Sequence, residues 1–191
     1  EISEEFDTPV ILKMCTRVAH SQSIVETSPR TEGPERPYEK NIAKYVMMPG
    51  NAIRRHPVVE DRMRRLAQYA ETCDLNRVEM GDTKLGIITS STSYQYVKEV
   101  FGDSVSVLKL GMANPLPVKL IRDFASKVEK LVVVEELDPI IENHCRSLGL
   151  ENLRAVCAIA PGVMGQTGAE TGEILAALVR QLRPSAVIAV D

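Results

Sequence analysis

The sequence predicts an α/β fold: a doubly wound, mainly parallel sheet preceded by an irregular N-terminal arm. Three observations carry that prediction. From Lys84 onward, short apolar runs alternate with helical segments at the spacing of βα units. The run Leu131-Val132-Val133-Val134 is apolar without alternation, as expected of a strand covered on both faces. Between Ser21 and Pro57, five of the 11 prolines gather among Ser, Thr and Glu with little periodicity, which suits a linker or an arm lying on another surface.

The elements follow in order. Glu1 to Asp7 is short and acidic and reads as the end of a helix, closed by Pro9. Val10 to Thr16 reads as a mostly buried strand. His56-Pro57 reads as a helix start. Val59, Met63, Leu66, Ala67 and Ala70 then give an amphipathic helix to Cys73. Arg54, Arg55, Arg62, Arg64 and Arg65 are interleaved there with Glu60 and Asp61, either as a solvated face or as a basic anion site. Five parallel strands are expected to start near 85, 105, 131, 155 and 186. The helices between them are expected from Thr92 to Phe101, Val118 to Val128, Asp138 to Leu148 and Glu170 to Leu182, with Ser90 to Thr92 and Asp138-Pro139 as caps.

Composition narrows the function. At 191 residues, with 44% hydrophobic and 26% charged residues, the chain suits one domain, or one with a long extension, and not a disordered one. A net charge of -3 gives no basic footprint for nucleic acid. No apolar run nears the roughly 18 residues of a membrane span, and no signal-peptide pattern opens the chain. Cys15, Cys73, Cys145 and Cys157 are never closer than the last two, so no zinc or iron–sulfur spacing occurs. A reduced cytoplasmic setting is expected. The chain starts at Glu1 without Met and stops at Asp191 behind an apolar run, so a fragment, an excised domain or an assembled sequence is expected.

Polar groups collect at the carboxyl ends of the predicted strands: Thr89 to Thr92, Glu135-Glu136, the loop Gly162 to Gly168, and Asp191. The loop spaces its glycines at 162, 165 and 168, which is neither GxGxxG nor a P-loop, and Glu170 and Glu173 behind it would oppose a phosphate. Glu135 and Glu136, as neighbours on a strand, face opposite sides and cannot share a proton, and Glu136, if it begins a loop, can cap the next helix or pair with a lysine. His20, His56 and His144 have no ligand partner at helical spacing, and no metal site is expected. Ser90 and Ser91 lack a hydrolase's glycine-flanked elbow. No catalytic residue is assigned.

Residues 1–150 closely resemble the alpha subunit of indolepyruvate:ferredoxin oxidoreductase. The matching runs include Ser3 to Val10, Thr16-Arg17-Val18-Ala19-His20-Ser21, Lys44-Tyr45-Val46-Met47-Met48-Pro49, Arg54-Arg55-His56-Pro57 and Leu85 to Ser90. Ser93 to Val97, Val107 to Gly111 and Val132-Val133-Val134-Glu135-Glu136-Leu137-Asp138-Pro139 complete them. The resemblance implies a tail of the thiamine pyrimidine-binding domain at 1–20 and a linker arm with an amphipathic helix at 21–82. From 83 it implies a middle α/β domain, similar to the transketolase C-terminal domain, that is flavodoxin-like and chiefly architectural. The full enzyme would use thiamine diphosphate, magnesium and iron–sulfur clusters, and none of these is expected to be bound by this chain. Its partners would be the missing domains or a second subunit, with a homo-oligomer as a further arrangement and neither nucleic acid nor membrane. Arg17 and His20 would follow a strand that ends near the substrate cleft, or serve interdomain polar contacts.

Residues 151–191 resemble the spore germination protease instead, through Arg154 to Gly165, Thr167-Gly168, Glu170 to Ile174 and Pro184 with Val187 to Asp191. Asp191 would fall on that family's strand-end aspartate. Its partner belongs upstream, where oxidoreductase-like sequence stands, and one carboxylate cannot be tuned against another that is missing. Asp191 is therefore not expected to be active. The expected α/β domain runs over 83–191, completed by the protease-like segment. Three functions follow: a non-catalytic fragment of the oxidoreductase, an engineered or recombinant chimeric scaffold, or a fragment of an aspartate-dependent protease.

Overall fold

The computed structural model describes residues 1–14, 16–33, 37–136 and 138–154, together with Ala176 and Arg180. The chain divides into two units, Glu1–Thr72 and Cys73–Asp191.

The first unit holds α1 (Ile2–Phe6), α2 (Thr16–His20), α3 (Ile42–Tyr45) and α4 (Pro49–Ala70). Asp7 closes α1 in the left-handed conformation, φ 52°, which aspartate tolerates better than most side chains. Phe6 is buried and meets Tyr69 of α4 with ring centroids 5.2 Å apart. α4 buries Arg62, Leu66 and Ala70, one residue per turn on one face.

Two expectations fail in this unit. The apolar run from Val10 is not a buried strand: it is extended without pairing, and Ile11 is 91% exposed. Apolar content favours a strand only where a neighbour completes its ladder, and no described strand pairs with it; Thr16 instead begins α2. The long helix also starts before His56-Pro57. Pro49 stands at its first turn, where the missing N–H would have had no helical partner, and Pro57 lies inside it. Pro57 costs the helix one backbone bond without ending it. From 21 to 41 the described residues form neither helix nor strand.

The second unit is the α/β layer. Its elements are β1 (Arg77–Glu79), β2 (Asp82–Ser90), α5 (Ser93–Phe101), β3 (Val105–Leu110), α6 (Val118–Ser126), β4 (Lys130–Val134), α7 (Ile140–Ser147) and β5 (Leu153–Arg154). The sheet order is β1-β3-β2-β4-β5. β3, β2, β4 and β5 are parallel, with Ile87 opposite Val107 and Val132. β1 adds an antiparallel edge through Val78 opposite Leu108, and its three residues carry too little pattern to be seen in the sequence.

Alternation along β2 and β3 separates two cores. Ile87 and Val107 pack with Val97 of α5. Ile88 and Leu108 pack with Ile121 and Phe124 of α6 and with Ile141 and Cys145 of α7. Helices thus cover both faces, which is the doubly wound arrangement the sequence predicts. Gly86 is required in β2 because a Cβ there would stand 2.7 Å from a Val128 methyl. The predicted strand at 186–190 lies outside the described residues, as does most of the helix 170–182. Within that helix, Ala176 and Arg180 are helical, and Arg180 Nε donates to the Ala176 carbonyl at 3.1 Å.

Candidate functional site

In an open α/β sheet the ligand crevice lies where neighbouring strands send their connections to opposite faces. Here that point falls between β2, which feeds α5, and β4, which feeds α7. Ser90, Ser91 and Thr92 leave β2, and Glu135 and Glu136 leave β4. Ser91 holds φ 52°, a conformation that costs a non-glycine residue about 1 kcal/mol or more. The Thr89 hydroxyl is buried with no hydrogen-bond partner among the described residues.

The two glutamates go separate ways. Glu135 accepts hydrogen bonds from the backbone N–H groups of Ile141 and Glu142, each at 2.9 Å, at the amino end of α7. Glu136 Oε2 accepts from the Thr92 hydroxyl at 3.4 Å. They therefore share no proton, and both lie just past β4, which ends at Val134. The expected caps are corrected: neither Thr92 nor Pro139 makes a side-chain cap bond. Glu135 reaches the amides of α7 from six residues away because β4 delivers it beside the helix start.

A second polar constellation lies in the first unit, assembled from distant parts of the sequence. Asp7 Oδ1 accepts from Lys44 Nζ at 2.6 Å, and Oδ2 accepts from Arg55 Nη2 at 2.9 Å and Arg62 Nη2 at 3.1 Å. The Lys44 hydrogen bond is the largest influence on Asp7 and lowers its pKa; partial burial opposes it, and the two arginines add to the lowering. The same bond raises the Lys44 pKa. Lys44, Arg54 and Arg55 also line a cleft of about 410 Å³ with Asn41, Ala43 and Asn51. The arginines were visible in the sequence as a basic run. Asp7 and Lys44 were not, because only the fold of α1, α3 and α4 brings them to it.

Arg17 lies in α2 and His20 is its exposed last residue, and the described residues just before α2 form no strand. Asp191 and the loop 162–168 lie outside the described residues. No group of three His, Cys, Asp or Glu among the described residues could hold a metal ion. Among the described residues, Cys73 and Cys145 are both buried free thiols. No described helix is long and apolar enough to cross a membrane.

A family model described as germination protease matches residues 102–191, and so begins well before the protease-like runs at 151–191. A solved 2-oxoglutarate:ferredoxin oxidoreductase from Magnetococcus marinus, with 2-oxoglutarate, coenzyme A and succinyl-CoA bound, aligns at a TM-score of 0.41 and 17% identity, covering 71% of this chain and 24% of its own. A germination protease from Clostridium acetobutylicum is 29% identical over 147 residues, 69% of this chain and 40% of the relative. The indolepyruvate oxidoreductase subunit IorA of Methanothermobacter marburgensis is 39% identical over 151 residues, 75% of this chain and 24% of the relative. That of Archaeoglobus fulgidus is 35% identical over 155 residues, 78% and 25%. The chain is thus similar to IorA subunits over three quarters of its length, and it spans about a quarter of theirs.

Proposed function

We propose that this chain is the connecting arm and architectural middle domain of an indolepyruvate:ferredoxin oxidoreductase alpha subunit that depends on thiamine diphosphate. The similarity to IorA subunits over three quarters of the chain carries the reading. In it, residues 1–20 belong to the pyrimidine-binding domain, 21–82 form the arm with its amphipathic helix, and 83–191 form the α/β domain. Thiamine diphosphate, magnesium and the iron–sulfur clusters would be held by the rest of the subunit or by a second one. The polar groups at the switch point support a non-catalytic role, since Glu135 is committed to α7 and Glu136 to Thr92.

The test is indolepyruvate oxidation with thiamine diphosphate, magnesium and ferredoxin supplied. The chain alone should show none, and adding the remaining domains as a separate polypeptide should restore it. Restoration that is equal with and without this chain would defeat the proposal, as would micromolar thiamine diphosphate binding by the chain alone.

A second reading rests on the germination-protease match over 102–191. That match and the IorA similarity together exceed the chain's length, so the same βα units satisfy both patterns. A chimeric scaffold built of compatible units, or a protease fragment, follows from this. Cleavage of small acid-soluble spore proteins that is lost in Asp191→Asn would favour the protease. Absence of both activities, with no assembly onto oxidoreductase domains, would favour the scaffold.

A further inference from the structure

Three cations, Lys44, Arg54 and Arg55, line the cleft of the first unit. Asp7 is shared by Lys44, Arg55 and Arg62. Arg54, a fourth cation, spends Nη2 on a neutral acceptor, Asn51 Oδ1, at 3.0 Å. Asn51 is itself fixed by donating to the Val46 carbonyl at 2.9 Å, so the guanidinium is held in place without being neutralised. Each guanidinium has five N–H donors, and Arg54 and Arg55 each spend one on a protein partner among the described bonds, whereas Lys44 engages both Asp7 and Tyr45.

We infer that this cleft binds an oxyanion of the phosphate class carried by a small organic molecule. An ammonium and two guanidinium forks offer more convergent donors than one carboxylate can accept, and a phosphate or diphosphate presents three or more acceptor oxygens with multiple charge. The cleft, about 410 Å³ and broadly open to solvent, has room for more than a bare ion. Asp7 is then an internal competitor: it pairs with Lys44 and Arg55 of the cleft and would repel an incoming anion.

Inorganic pyrophosphate, titrated calorimetrically into the full chain at low salt, tests this with citrate as a control of comparable charge but carboxylate chemistry. Pyrophosphate should bind at one site with Kd below about 1 mM. Arg54→Gln and Arg55→Gln should each weaken it at least about fivefold, citrate should bind more weakly, and Asp7→Asn should tighten pyrophosphate binding. Arg54 is exposed and outside the Asp7 cluster, so its variant remains decisive if circular dichroism shows Arg55→Gln or Asp7→Asn to be unfolded. Binding weaker than millimolar, indifference to Arg54→Gln, or equal affinity for citrate would overturn the inference.

Discussion

The carboxylate of Glu135 stands at the amino end of α7 and accepts a hydrogen bond from the Ile141 N–H at 2.9 Å, with Glu142 N–H on its other oxygen. A helix start leaves such N–H groups without helical partners, and negative charge there is favourable. Pro139, the residue in the cap position, can supply neither. Glu135→Ala should therefore destabilise the α/β unit by about 1–2 kcal/mol in denaturant unfolding. Glu136→Ala, which loses one 3.4 Å contact to Thr92, should cost less than about 0.5 kcal/mol. Equal costs would contradict the assignment of the cap to Glu135.

Strands β2, β3 and β4 were legible because each is an apolar run buried from both faces, so the residues alone encode the environment. Val10 to Met14 carries the same kind of run, but among the described residues no strand pairs with it. Sequence reports what a segment can bury, and only a partner decides whether it does. The Asp7 cluster was illegible for another reason: Asp7 and Lys44 are separated by 37 positions and belong to different helices. No local spacing encodes that meeting. The cap was half legible, since the sequence reading gave a capping role to Glu136 and the geometry gives it to Glu135.

Cys145 lies on the buried face of α7, and desolvation pushes its thiol up to about 12, with the charges of Glu135 and Glu142 adding to the shift. A thiolate is the reactive form, so Cys145 should resist maleimide at pH 8 in the folded protein and react on unfolding. The stability consequence has a fixed sign. The folded pKa lies above the ordinary 9.0, so the contribution is full below about pH 9 and is lost as pH rises towards about 12. Cys145→Ala should flatten that alkaline decline. Rapid labelling in native buffer would show that the thiol is more accessible than its burial implies.

Asp7 shifts the other way. Its folded pKa lies below 3.8, so its contribution is present above about pH 4 and is lost as pH falls through the folded value. The carboxylate is half exposed, which screens its pairs and limits their worth to about 1 kcal/mol. Asp7→Asn should lower the stability of the first unit by that order at pH 7 and by almost nothing at pH 2. An equal loss at both pH values, followed by the Phe6–Tyr69 contact in unfolding experiments, would mean that packing of α1 rather than charge is responsible.

Asn152 tests whether the segment beyond Leu150 is part of the sheet's framework. Its side-chain amide donates to the carbonyls of Ala125 at 2.9 Å and Val128 at 2.8 Å, and its own carbonyl accepts from Leu131 N–H at 2.9 Å. The first two carbonyls lie at and just beyond the end of α6, where acceptors lack their helical i+4 donors. Leu153 and Arg154 then pair with β4. Asn152→Ala should therefore cost about 2 kcal/mol, one increment for each lost bond. Asn152→Asp keeps the shape but replaces the donor by a negative oxygen facing two carbonyls, so it should cost more than alanine at pH 7. The difference between the two variants should shrink near pH 3, where the carboxyl is protonated and can donate one bond. A variant pair with equal stability at pH 7, measured by urea unfolding of the full chain, would show that Asn152 only rests against α6 and does not tie the protease-like segment to it.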